Sequence, residues 1–122
     1  VKKILLAEDE EVLRMLIVDT IEDGDFEIDE AADGKEALTK IAENDYDLLI
    51  LDYMMPQVTG VEVIEEVRKN PLKNSVKILM LSAKNQQYEQ EKVLAVGADY
   101  FMAKPFSPLA LLDKVEEILN EN

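Results

Sequence analysis

Five short apolar runs recur along the chain, each of strand length and each followed by a longer amphipathic stretch. They are Ile4-Leu5-Leu6-Ala7, Phe26 to Ala31, Leu48-Leu49-Ile50-Leu51, Ile78-Leu79-Met80-Leu81 and Tyr100-Phe101-Met102-Ala103. Four of the five are continuous rather than alternating, the pattern of strands covered on both faces of a sheet. The second instead alternates as Phe, Glu, Ile, Asp, Glu, Ala. The spacing between and after the runs predicts helices over 11–22, 35–44, 61–70, 86–96 and 108–120. Asp33 stands before the second helix, Ser107-Pro108 reads as an N-cap followed by proline at the first helical position, and Gly24 and Gly97 fall just past helix ends. Strand then helix, five times over, argues for one α/β domain over 1–122. Its parallel sheet would have right-handed crossovers and helices on both faces. No linker, repeat or low-complexity segment interrupts it.

Charge and missing residue types narrow the chemistry. With 27 acids against 13 bases the net charge is −14, so the chain is repelled by phosphate backbones and anionic lipid, and direct nucleic-acid or membrane binding is not expected. It has no Cys and no His, which excludes zinc fingers, haem ligation, disulfides, thiol nucleophiles and a Ser-His-Asp triad. Catalysis is left to carboxylates, lysines, hydroxyls and a hard metal ion. No run reaches the ~20 apolar residues of a membrane span and no leader pattern opens the chain, so a soluble cytoplasmic protein is expected. The acids are uneven: residues 1–61 carry 17 acids and 5 bases, and from Glu8 to Asp33 twelve acids face the single base Arg14. Most of these read as solvated surface. The run Glu8-Asp9-Glu10-Glu11 is harder to dismiss.

In an open parallel sheet, ligands bind at the edge formed by the carboxyl ends of the strands. Glu8 and Asp9 follow the first run, Asp52 the third, Ser82 the fourth and Lys104 the fifth. Each has an ordinary reading alone: a helix cap, a turn residue, a solvated ammonium. Together they put three carboxylates, a hydroxyl and an ammonium on one rim. Clustered carboxylates repel one another unless a cation sits among them. Mg²⁺ suits such a site because it prefers oxygen ligands and is held by one or two carboxylates plus phosphate. Lys104 and Ser82 then complete a cradle for phosphoryl oxygens, leaving Asp52, at the end of the most apolar run, to attack phosphorus and form an aspartyl phosphate.

On these residues the chain resembles the receiver domain of two-component response regulators over essentially its whole length. The matching elements are Glu8-Asp9, Leu-Asp-Tyr-Met-Met-Pro at 51–56 followed by Gly60, Ser82-Ala83, and Lys104-Pro105-Phe106. The resemblance implies a doubly wound, flavodoxin-like (βα)5 fold with strand order 2-1-3-4-5. It implies that Asp52 accepts a phosphoryl group from a phosphohistidine on a sensor histidine kinase or histidine phosphotransfer domain. Mg²⁺ would be bound by Glu8, Asp9, Asp52 and the main-chain carbonyl of Met54, and Ser82 and Lys104 would hold the phosphoryl oxygens. Ser82 and Phe101 would act as the switch pair, changing the surface of the fourth helix, fifth strand and fifth helix. The domain would catalyse its own phosphorylation and dephosphorylation rather than turn over a substrate, as a monomer or a weak phosphorylation-dependent dimer. Its output would pass through another protein or a further domain. The resemblance also implies a cis Lys104-Pro105 bond. Glu8 departs from it, since Asp is commoner there, and Met54 and Lys84 occupy positions that tune the lifetime of the phosphoryl group.

Two other families share part of this pattern. A haloacid-dehalogenase-like hydrolase also uses Asp after a parallel strand, but needs a second Asp where this chain has Met54, and a cap domain. A dinucleotide or flavin binder lacks its glycines, for the chain has only Gly24, Gly34, Gly60 and Gly97. The first helix carries Val12, Leu13, Met15, Leu16, Ile17 and Val18, more apolar positions than one face needs. They read first as additional core. The alternative, implied by the resemblance, is that Leu13 and Leu16 with Pro105 and Phe106 dock a partner's four-helix bundle.

Overall fold

The computed structural model describes residues 1–84 and 86–120. Its strands are β1 (Lys2–Ala7), β2 (Phe26–Ala31), β3 (Leu48–Asp52), β4 (Lys77–Ser82) and β5 (Tyr100–Ala103). Its helices are α1 (Glu11–Glu22), α2 (Gly34–Glu43), α3 (Gly60–Lys69), α4 (Gln87–Val96) and α5 (Pro108–Leu119). All strand pairs are parallel, in the order β2-β1-β3-β4-β5. The predicted elements are therefore all present, in the flavodoxin-like order.

Side-chain alternation splits the core in two, because successive strand residues point to opposite faces. Leu5, Leu49, Leu51, Ile78 and Met80 pack with Ala37 and Ile41 of α2, Val63, Ile64 and Val67 of α3 and Val93 of α4. Ile4, Leu6, Leu48, Ile50, Leu79 and Leu81 pack with Ile17 and Ile21 of α1 and Leu111, Val115 and Ile118 of α5. This double burial is why β1, β3 and β4 read as continuous apolar runs. The alternating second run is β2, an edge strand in which only Ala31 is fully buried.

The expectation that the surplus apolar residues of α1 belong to the core is corrected by the structure. Ile17 and Ile21 are buried and Leu13 and Val18 partly so, but Val12, Met15 and Leu16 are 82%, 56% and 48% exposed. At 100° per residue the face through 13, 17 and 21 is the one turned to the sheet, and 12, 15 and 16 lie away from it.

The caps follow the sequence signals. Asp33 accepts from the Glu36 N–H at 2.8 Å and Ser107 from the Ala110 N–H at 3.0 Å. Gly97 closes α4 at φ 136°, a conformation that L side chains rarely adopt. One cap was not foreseen: Thr59 accepts from the Glu62 N–H at 3.2 Å while Glu62 accepts from the Thr59 N–H at 3.1 Å, a capping box at the start of α3. Thr59→Ala is expected to cost about 1 kcal/mol, read as a lower urea midpoint at unchanged slope; an unaltered midpoint would show that solvent replaces the cap. Among the described residues, no helix is long and apolar enough to cross a membrane.

Candidate functional site

The parallel register brings the strand ends level. Ala7 lies opposite Leu51, Asp52 opposite Leu81 and Ser82 opposite Ala103. Glu8 and Lys104 thus leave β1 and β5 on either side of Asp52 and Ser82, the last residues of β3 and β4. A lysine has the reach to cross that edge. The Lys104 ammonium donates to Glu8 Oε1 at 2.7 Å and to Asp52 Oδ1 at 3.0 Å, bridging residues that are 96 and 52 positions away in sequence. The Lys104-Pro105 peptide is cis, as the resemblance implied.

The three carboxylates do converge: Glu8, Asp9 and Asp52 each offer an oxygen, and these atoms lie within 4.8 Å of one another. Asp9 is exposed, whereas Glu8 and Asp52 are buried. A cleft of about 320 Å³ opens above them, lined by Asp9, Glu10, Asp52, Tyr53, Met54, Ser82, Ala83, Lys84 and Lys104. Ser82 is buried, and its Oγ accepts from the Lys84 N–H at 2.9 Å. Phe101 sits opposite Met80 in the sheet, half-buried against the core on the α2–α4 side. Leu13, Leu16 and Phe106 line a small groove between α1 and α5, while Pro105 is exposed and is not one of its lining residues.

Burial dominates the electrostatics. It pushes the Glu8 carboxyl up to about 7, with the hydrogen bond to Lys104 pulling the other way and the charge of Asp52 adding to the rise. Asp52 is likewise raised by burial, against the opposing pull of Glu8 and Lys104 and with Asp9 adding to the rise. For Lys104 burial alone acts downward, but the hydrogen bonds and charges of Glu8 and Asp52 outweigh it and hold the ammonium above its usual range. Lys104 is thus held in its charged form and is the counter-ion of both buried acids.

The donor set fits a hard divalent cation. All three groups present oxygen, and none is a nitrogen or sulfur ligand that a softer metal would select. With Asp9 beside the two buried acids, three carboxyl groups face the Lys104 ammonium, an acidic surplus that a divalent cation would neutralise.

Three neighbours have roles that the sequence left unassigned. The Glu10 N–H donates to Glu8 Oε2 at 3.2 Å. Arg14 donates from Nη1 to the Glu8 carbonyl at 2.9 Å and from Nε to Glu30 Oε1 at 3.2 Å, so it fixes the backbone beneath the site. Its isolation among twelve acids was the signal available for it. Tyr53, next to Asp52, is buried in the core on the α2–α4 side, and nothing in the sequence distinguished its ring from ordinary core.

The family described as "Response regulator receiver domain" matches residues 4–116. The chain is 38% identical over 121 residues to the alkaline phosphatase synthesis transcriptional regulatory protein PhoP of Bacillus subtilis, covering 99% of this chain and 50% of that protein. It is 39% identical over 117 residues to the phosphate regulon transcriptional regulatory protein PhoB of Rhizobium meliloti, covering 96% and 52%. The chain thus spans about half the length of the curated relatives it matches. Among solved structures, the chemotaxis response regulator CheY4 of Vibrio cholerae superimposes with a TM-score of 0.91 at 34% identity, covering 97% of this chain and 98% of that one. The response regulator TrrA of Thermotoga maritima, solved in complex with Mg(2+)-BeF, superimposes with a TM-score of 0.85 at 37% identity, covering 98% and 100%.

Proposed function

The chain belongs to the response regulator receiver domain family, and from that premise we propose that it is a phosphoacceptor switch whose acceptor is Asp52. The observation that carries this reading is the meeting of Glu8, Asp9 and Asp52 within one rim, with Lys104 bonded to Asp52 from the opposite side. An Asp52 carboxylate oxygen forms the new bond to phosphorus as the bond from phosphorus to the donor's imidazole nitrogen breaks. These 122 residues include no histidine, so the donor imidazole lies outside them, on a sensor histidine kinase or a histidine phosphotransfer domain.

The chain's own groups position and neutralise. Lys104 holds Asp52 Oδ1 and keeps its proton, leaving a fixed positive charge where negative charge accumulates on the phosphoryl oxygens. Ser82 offers a hydroxyl at the same rim. Mg²⁺, held by Glu8, Asp9 and Asp52 with the main-chain carbonyl of Met54, would neutralise the clustered acids and the incoming phosphoryl charge. The domain catalyses its own loading and unloading and is not a turnover enzyme. Ser82 and Phe101 carry the change to the surface of α4, β5 and α5, which addresses a downstream protein or an output domain of the kind its longer transcriptional relatives would supply. The exposed Leu16, with Leu13, Phe106 and the adjoining Pro105, fits the docking of a partner's helices. On this proposal the protein is cytoplasmic, a monomer or a weak phosphorylation-dependent dimer.

Incubation with acetyl phosphate and Mg²⁺ is expected to add the mass of one phosphoryl group, removable by base and mapped to the peptide containing Asp52. An unchanged mass, or equal labelling of Asp52→Asn, would sink the reading.

A further inference from the structure

We propose that Tyr53 is a positioning residue that ties the acceptor end of β3 to the first turn of α4. Through it, the state of Asp52 and the seating of α4 are linked by a route separate from Ser82 and Phe101. This rests on the phosphoacceptor reading of Asp52.

Tyr53 cannot move independently of the acceptor. It is bonded to Asp52, its N–H donates to the Leu81 carbonyl at 2.9 Å, and its own carbonyl accepts from the Gly60 N–H at 3.1 Å. The ring is 9% exposed and packs in the core on the α2–α4 side. Its hydroxyl emerges from that core to donate to Glu89 Oε2 at 3.4 Å, in the first turn of α4. Lys84 Nζ lies 5.9 Å from the ring centroid, within reach of a cation–π attraction. One side chain thus touches the acceptor strand, the loop after β4 and α4.

Each end of α4 is tied to a neighbouring element. At its C-terminal end Arg68 donates to the Gly97 carbonyl from Nε at 2.9 Å and Nη2 at 2.7 Å, to the Val76 carbonyl at 2.7 Å and to Asp99 at 2.8 Å. A Cβ on Gly97 would lie 2.8 Å from Arg68 Cγ, so the packing there is close. Along the helix itself only Val93 is buried among the described residues. At the N-terminal end, among the described residues, Tyr53 reaches Glu89 by a contact of 3.4 Å, longer than the usual hydroxyl–carboxylate hydrogen bond and so readily exchanged.

Lys84 makes the fastening sensitive to Asp52. It lines the same cleft as Asp52 and also stands over the Tyr53 ring. A phosphoryl group on Asp52 puts new negative charge into that cleft and competes with the ring for the ammonium. The Tyr53–Glu89 contact still joins the ring to α4, and by reciprocity whatever seats α4 biases the acceptor.

The test uses beryllofluoride with Mg²⁺ as the phosphoryl stand-in and reads amide resonances by NMR, alongside acetyl phosphate labelling by mass. In wild type the amides of Gln87 to Gln90 are expected to shift together with those of Ser82 and Ala103. Tyr53→Phe keeps the ring and removes the hydroxyl; it and Glu89→Ala are expected to reduce the α4 shifts to about half or less, with the Ser82 and Ala103 shifts retained. Glu89→Gln keeps an accepting oxygen and is expected to restore the wild-type response. The double variant Tyr53→Phe/Glu89→Ala is expected to lose no more than either single one. Undiminished α4 shifts in Tyr53→Phe, failure of Glu89→Gln to rescue, or additive losses in the double variant overturn the tie while leaving the acceptor reading intact. A wild type that neither labels nor responds to beryllofluoride overturns both.

Discussion

Replacing Lys104 by Met is expected to lower the stability of the metal-free protein by about 3–5 kcal/mol, the usual consequence of removing one partner from a buried ion pair. The lysine side chain is 16% exposed, Glu8 0% and Asp52 8%, so solvent cannot take over the role of counter-ion. A lysine merely solvated at the surface would change stability by no more than about 0.5 kcal/mol on substitution. Mg²⁺ gives the second readout. In wild type the ion has to compete with an ammonium already bonded to Glu8 and Asp52; in Lys104→Met it meets uncompensated acids. Added Mg²⁺ is therefore expected to raise the denaturation midpoint of the variant more than that of wild type. An equal rise in both would show that Lys104 and the cation do not share these carboxylates.

Gly60→Ala is expected to damage the acceptor through the backbone. A Cβ at Gly60 would lie 2.3 Å from the Asp52 carbonyl oxygen and 3.0 Å from Met80 Cε. Met80 can bend away, but the Asp52 carbonyl belongs to β3 and cannot move without its residue. Overpacking of this kind costs about 1–3 kcal/mol, and a displaced reacting group loses rate steeply, roughly 100-fold for a 1 Å misplacement. Labelling by acetyl phosphate, measured well below the variant's melting temperature, is expected to slow by at least about tenfold. Wild-type labelling in a destabilised Gly60→Ala would mean that α3 yields instead of β3.

Much of this was legible from local signals. Continuous apolar runs marked β1, β3 and β4 because burial on both faces removes any need for alternation. Asp33, Ser107 and Gly97 marked helix ends because they supply an oxygen or a conformation that the backbone requires there. The site residues were legible for a topological reason: in a parallel sheet every strand ends at the same edge, so the polar residues after each run had to meet. The surface of α1 was misread, since a count of apolar residues does not say which way they point. Val12, Met15 and Leu16 became surface only when Ile17 and Ile21 were seen against the sheet. Arg14 and Tyr53 were missed because their roles depend on partners supplied by other elements, Glu30 for one and Glu89 for the other.

By itself the sequence determined the alternation of five strands and five helices and the carboxylates Glu8, Asp9 and Asp52 at the strand ends. These follow from periodicity and residue type, which local physics decides. What only the tertiary structure decided is the pairing: that Lys104 crosses the sheet edge to bond Glu8 and Asp52 at once, that Glu8 is pushed up to about 7 by burial, and that Tyr53 reaches α4. Those are matters of distance and desolvation between residues far apart in the chain, and neither quantity exists until the strands are in register.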